Sequence, residues 1–181
     1  VPARYRLTPP LLATLFLLLL TGCGSEEEVQ ETAHAPVPIE HGDECHVCGM
    51  IITNYPGPKA ESFIRGSDRA RKFCSTRDLF AFLLQPENAT IVREIYVHDM
   101  AETGWEHPED TALVDARSAW YVANHPRRGA MGPTLASFAQ RVDAEVFVEE
   151  HGGLILRFEE VTLDVIGGLN YGPDGAGSRT P

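Results

Sequence analysis

Apolar residues change their spacing several times along the chain, and each change marks an element. Residues 50–55 and 60–64 alternate as two short strands around the Pro56-Gly57-Pro58 turn. Residues 76–84 carry apolar side chains at helical spacing, and residues 91–97 are rich in the β-branched residues that strands favour. The order then returns, less regularly. Residues 112–115 and 119–123 alternate as strands, residues 133–142 have helical spacing with Pro133 in the first turn, and residues 145–149 and 154–161 return to strand character. The pattern predicts an α+β fold in which two strand-strand-helix-strand units share one compact domain. Cys74-Ser75-Thr76 and Met131-Gly132-Pro133 open the two expected helices, with Phe82 and Phe138 at similar offsets.

A different pattern opens the chain. Arg4 and Arg6 precede an apolar run at 11–20, broken only by Thr14, which ends at Leu20-Thr21-Gly22-Cys23. The run is too short for a bilayer span, which takes about 20 apolar residues. Its sequence of charge, apolar core and small residues is that of a secretory signal, and Leu-Thr-Gly-Cys is the kind of string that lipoprotein signal peptidase cuts. Residues 1–22 are therefore expected to leave, and Cys23 to carry the lipid. Acyl chains on its sulfur and nitrogen anchor stably at about 0.8 kcal/mol per buried methylene. Gly24 after the cysteine resembles lipoproteins of the outer membrane; outer and inner membrane both stay open, with the soluble domain facing the periplasm.

Residues 23–44 read as a flexible acidic linker, with Glu26, Glu27, Glu28 and Glu31 near the anchor. Residues 45–166 are one domain's worth of chain, and the glycine- and proline-rich residues 167–181 read as a disordered tail. The net charge of -11 counts against nucleic acid as a partner, which calls for a cationic surface.

With Cys23 lipidated, Cys45, Cys48 and Cys74 remain, an odd number in an oxidising compartment, so at least one thiol is buried, bound or reactive. Glu44-Cys45-His46-Val47-Cys48-Gly49-Met50 is the densest group of metal-capable side chains. A Cys-x-x-Cys turn brings two sulfurs together and by itself fits a zinc knuckle, a redox dithiol or a disulfide. Met50 shifts the balance, since thiolate with thioether is a soft donor set that selects Cu(I), and zinc sites prefer cysteine, histidine and carboxylate. Met131, placed between Gly129 and Gly132, reads either as an exposed thioether ligand or as a gap-filler under a loop. Met100 reads as core or as support for a site. Of the scattered histidines His46 and His98 alone merit attention as ligands. Cys74 reads as a buried small hydrophobe, and Trp105 and Trp120 as packing residues.

Cys48-Gly49-Met50-Ile51-Ile52, Pro56-Gly57-Pro58-Lys59-Ala60, Phe73-Cys74-Ser75, Tyr96-Val97-His98-Asp99-Met100 and Gly129-Ala130-Met131-Gly132-Pro133-Thr134 stand in the order found in the NosL family, which residues 45–161 and the lipoprotein signal resemble. The resemblance implies a Cu(I) metallochaperone, not an enzyme, that supplies the copper-sulfide centre of nitrous oxide reductase in the periplasm beside the NosDFY transporter complex. It implies a fold shared with the organomercurial lyase MerB, and as copper ligands the thiolate of Cys48 with the thioethers of Met50 and Met131. Cys45 is then an additional metal or redox residue, able to protect Cys48 as a reversible disulfide. Two other readings compete. A thiol-dependent enzyme of MerB-like fold would use Cys74 with Asp78 four residues on, and a zinc- or disulfide-stabilised binding module would close a site around Cys45, Cys48 and histidines.

Overall fold

In the computed structural model the described residues are 33–172; the signal, the Cys23 anchor, the acidic run and residues 173–181 lie outside them. The architecture is mixed α/β. Strand β1 (Ala60–Ile64) turns into β2 (Ser67–Phe73), which feeds helix α1 (Thr76–Leu83) and the short α2 (Pro86–Ala89). Strand β3 (Val92–His98) returns beside β1, and β4 (Leu113–Asp115) closes an antiparallel sheet of order β2-β1-β3-β4. The chain continues through β5 (Trp120–Ala123), a two-residue-stranded hairpin of β6 (Arg128–Gly129) and β7 (Gly132–Pro133), β8 (Ala136–Phe138), helix α3 (Arg141–His151), β9 (Leu154–Arg157) and helix α4 (Leu163–Gly167). Its sheet is ordered β8-β5-β9 and is also antiparallel. Among the described residues no helix is long and apolar enough to cross a membrane.

One core serves both sheets. Ala60, Phe73, Leu79, Phe80, Ile95 and Val97 meet Tyr121, Ala123, Leu135 and Leu156 in a single buried cluster. Side chains of β1 alternate between two covered faces, as a central strand's must. Ala60 points into the core, whereas Glu61 and Phe63 point at residues 33–39, which form a strap. The Val37 N–H donates to Glu61 Oε1 at 2.8 Å, the Tyr96 hydroxyl donates to the His34 carbonyl, and the His34 ring stacks on Phe63 at 4.5 Å. Lys72 Nζ donates to the Pro38 carbonyl at 2.7 Å, and Ile39 is buried. Composition alone made residues 33–44 part of the linker. They are held because the sheet's side chains satisfy their main-chain groups, a source of order that a count of apolar residues does not register. The chain after 167 also has contacts of its own, with the Asn170 N–H on Asn124 Oδ1 and the Tyr171 ring beneath the Arg128 guanidinium.

Several elements differ from the sequence expectation. Residues 50–55 hold one bridge, Glu44 to Ile51, and a 3-10 turn at Ile52–Asn54 in place of a strand. Strand β2 was missed because its Ser-Asp-Arg-Ala-Arg-Lys run is polar; it is an edge strand whose outward side chains meet water. Residues 133–142, expected as a helix, hold the last residue of β7 and all of β8 before α3 begins at Arg141, since β8 pairs with β5 and buries all three of its residues. Residues 145–149, expected as a strand, lie in α3, where Ala144 and Phe147 face the core and Val142 and Val146 face solvent. Packing of Phe147 on Trp105 and Phe138 outweighs the strand preference of Val146 and Val148.

Candidate metal centre

Two segments far apart in sequence build the site. The first is the loop at Cys45–Met50, closed by the Cys45 N–H on the Met50 carbonyl and the Gly49 N–H on the Cys45 carbonyl, each at 2.8 Å. Gly49 adopts a φ of 73°, a region that side chains disfavour, and this turns the chain between Cys48 and Met50. The second is the junction of β2 with α1, at Cys74 and Ser75. Ser75 caps the helix, its hydroxyl accepting from the Asp78 N–H at 3.1 Å, which places Asp78 one turn above Cys74. The His46 N–H bonds the Lys72 carbonyl at 2.8 Å and hangs the loop on the end of β2, two residues from Cys74.

The result is a cluster. One ligand atom from each of Cys45, Cys48, Cys74 and Asp78 lies within 4.8 Å of the others. Cys48 and Cys74 sulfurs are 3.5 Å apart, and Asp78 Oδ2 accepts from the Cys74 thiol at 3.0 Å and from the Cys45 thiol at 3.7 Å. Cys45 and Cys74 are buried, Cys48 is half-buried, and all three are free thiols. Ile39 and Ile52 are buried with Cys45 and Cys74 in one cluster, with Cys48, Met50 and Ala130 packed against it.

Crowded thiols do not ionise independently. Hydrogen bonding from Cys74, assisted by main-chain groups of Cys74, Cys48 and Val47, pulls Cys45 well below the ordinary thiol range against the opposing effect of burial. Cys74 is pushed up by its hydrogen bond to Cys45, by burial and by Asp78; burial also raises Cys48. The three thiols therefore ionise as one coupled cluster. A cation stands behind it. Lys59 is almost wholly buried, and its ammonium donates to the carbonyls of Tyr55 at 2.7 Å, Pro56 at 2.9 Å and Cys74 at 3.2 Å. Burial lowers its pKa to about 8, opposed by the charges of Cys74 and Cys45.

Met131 sits on the β6–β7 turn with half of its surface exposed, next to Ala130, which touches the cluster. Four hydrogen bonds brace that turn and its surroundings. Trp105 Nε1 donates to the Arg128 carbonyl at 2.9 Å, the Gly57 N–H donates to the Trp105 carbonyl at 2.7 Å, and Thr76 Oγ1 meets Thr134 Oγ1 at 3.0 Å while donating to the Leu135 carbonyl at 2.6 Å. The start of α1 and the strand after Met131 are thus stapled together. Neither His46 nor His98 belongs to the cluster: His46 is exposed with its ring edge-on to Phe82, and His98 is buried with Nδ1 accepting from the Lys59 N–H at 3.3 Å. Met100 packs under α3 with Trp105 and Phe138. Cys74 is buried, as expected, but it also touches Cys48, and with Asp78 it was absent from the copper ligands expected from sequence. Its signal was a cysteine and a carboxylate four apart at a helix start, together with the odd thiol.

A family model described as NosL matches residues 36–166. The chain belongs to the NosL family. A protein of Stutzerimonas stutzeri named copper-binding lipoprotein NosL is 46% identical over 175 residues, covering 92% of this chain and 90% of the relative. One of the same name from Achromobacter cycloclastes is 34% identical over 157 residues, covering 84% of this chain and 79% of that protein. In three dimensions this NosL-family chain is similar to the crystal structure of the copper chaperone NosL from Shewanella denitrificans, with a TM-score of 0.68 and 48% identity over 73% of this chain and 96% of that one.

Proposed function

We propose that this chain is a lipid-anchored Cu(I) chaperone that faces the periplasm and passes copper toward the copper-sulfide centre of nitrous oxide reductase, beside the NosDFY transporter complex. The observation that carries the reading is the convergence of Cys45 and Cys48 on Cys74 next to half-buried Met50, a sulfur-rich pocket of the softness Cu(I) prefers. The names of the relatives, a copper-binding lipoprotein and a copper chaperone, point the same way. Cys48 and Met50 on the loop, with Met131 from the β6–β7 turn, form the exchanging ligand set. One thiolate and two thioethers hold the ion while leaving an approach for an incoming ligand, so that copper passes through a shared intermediate without becoming free. β1, β2, α1 and β3 in the first sheet, and β5, β8, α3 and β9 in the second, are read as copies of one strand-strand-helix-strand unit, to which β4 adds a further strand in the first sheet.

The Cys74–Asp78 pair also suits thiol chemistry, yet Cys74 has no exposed surface for a substrate to reach, and the protein is read as a carrier rather than an enzyme. Transfer kinetics test the proposal. The rate at which copper leaves the loaded chain for its acceptor should rise with acceptor concentration. A rate fixed at that of spontaneous dissociation, whatever the acceptor concentration, would sink it.

A further inference from the structure

Three sulfurs meet in this pocket without the help of Met131, and two of them lie where an exchanging ligand has no need to be. Cys45 and Cys74 are buried beneath Cys48, and between them stands the Asp78 carboxylate, itself buried. Small apolar packing alone would not place a carboxylate there, because a buried charge is costly unless it is paired. Nor would it call for the Lys59 ammonium, buried on the other side and bonded to the Cys74 carbonyl. An acid, a base and three thiols around a pocket otherwise walled by Ile39, Ile52 and Ala130 are the components of a charged complex held out of water. The spacing agrees. Three sulfurs around one metal at about 2.3 Å stand about 4 Å apart, and the sulfurs here are 3.5 Å apart for Cys48 and Cys74 and within 4.8 Å for every pair.

We propose that Cys45, Cys48 and Cys74 form an inner Cu(I) position that shares Cys48 with the outer set of Cys48, Met50 and Met131. The ion shifts between a buried tris-thiolate seat and a shallower thiolate-thioether seat by exchanging ligands around one common sulfur. Each thiol that becomes a ligand releases its proton to solvent, and Cys45 and Cys74 take protons back when the ion moves outward; no electron changes hands. Three thiolates and one Cu(I) carry a net charge of -2, to which the Asp78 carboxylate adds one more and against which the Lys59 ammonium offsets one. The inner seat retains copper and the outer one surrenders it, since thioethers are weaker donors than thiolates. The inference rests on the copper-carrier reading and adds to it a place where the cargo waits.

Competition titration of the full lipidated chain in detergent, reduced and oxygen-free, against a coloured Cu(I) chelator tests the inner seat. Cys45→Ala and Cys74→Ala should each weaken the tightest Cu(I) binding by about tenfold or more and lower the thiolate-to-copper charge-transfer absorption per bound ion. Met50→Leu combined with Met131→Leu, at positions with exposed surface, should keep one tightly bound Cu(I) and slow its removal by the chelator. If Cys45→Ala and Cys74→Ala keep wild-type affinity and absorption, or if the double methionine variant loses all tight binding, the inner seat is refuted even where a cysteine variant fails to fold. The carrier reading fails separately, if the wild-type chain does not bind Cu(I) tightly or if Cys48→Ala binds it unchanged.

Discussion

His125 shows how a buried side chain ties stability to pH. Its ring is enclosed edge-on by Trp105 at 5.4 Å and Phe147 at 5.1 Å, and burial, with His151 and Arg127 nearby, lowers its pKa to about 4. Below the ordinary histidine value of 6.5 the unfolded chain takes up a proton that the folded chain refuses, so stability present above pH 6.5 drains away as pH falls toward 4. His98, with a pKa lowered to about 3 by burial, acts in the same direction. Glu61 opposes them: burial raises it to about 7, so it favours the folded state below pH 4.5 and loses that advantage as pH rises through 7. With two histidines against one carboxylate, the net effect is loss toward acid. His125→Leu should remove about 2 kcal/mol of the stability lost between pH 7 and pH 5, read from urea unfolding at the two values. An equal loss in variant and parent would show that His125 is protonated in the folded protein.

At the scale of elements, the β6–β7 turn positions Met131, and its geometry depends on Gly129. A Cβ there would lie 2.9 Å from both Cβ and Cγ2 of Thr134, whose hydroxyl is locked to Thr76 at the start of α1. Gly129→Ala should therefore cost about 1–3 kcal/mol of stability and, by displacing Met131, slow the removal of bound Cu(I) by a chelator, read from urea unfolding and from the kinetics of chelator exchange; an alanine variant matching the parent in both would contradict this. The elements most legible in the sequence were those whose local signals agree with their packing. Helix α1 has a serine cap and an apolar face, and β3 has β-branched residues paired on both sides. Residues 145–149 of helix α3 read as a strand because Val146 and Val148 alternate, while Ala144 and Phe147, three apart, do the packing. Cys45 and Cys48 announce themselves by spacing. Cys74 stands 26 residues from Cys48, and only the turn of β2 against the Cys45–Met50 loop brings the two sulfurs to 3.5 Å.

For the whole molecule, the fold's main product is a junction. The first sheet delivers Cys74 at the end of β2, the strap and loop before β1 deliver Ile39, Cys45 and Cys48, and the turn within the second half delivers Ala130, the neighbour of Met131, to the same cluster. The shared core of the two sheets keeps these pieces in register, and the strap at residues 33–39 lies across the first sheet. The central claim is that sulfur alone grips the copper. Copper K-edge absorption on the reduced, copper-loaded chain tests it most directly: a low-coordinate Cu(I) surrounded only by sulfur is predicted, and a four-coordinate ion or a shell of nitrogen and oxygen would contradict the account.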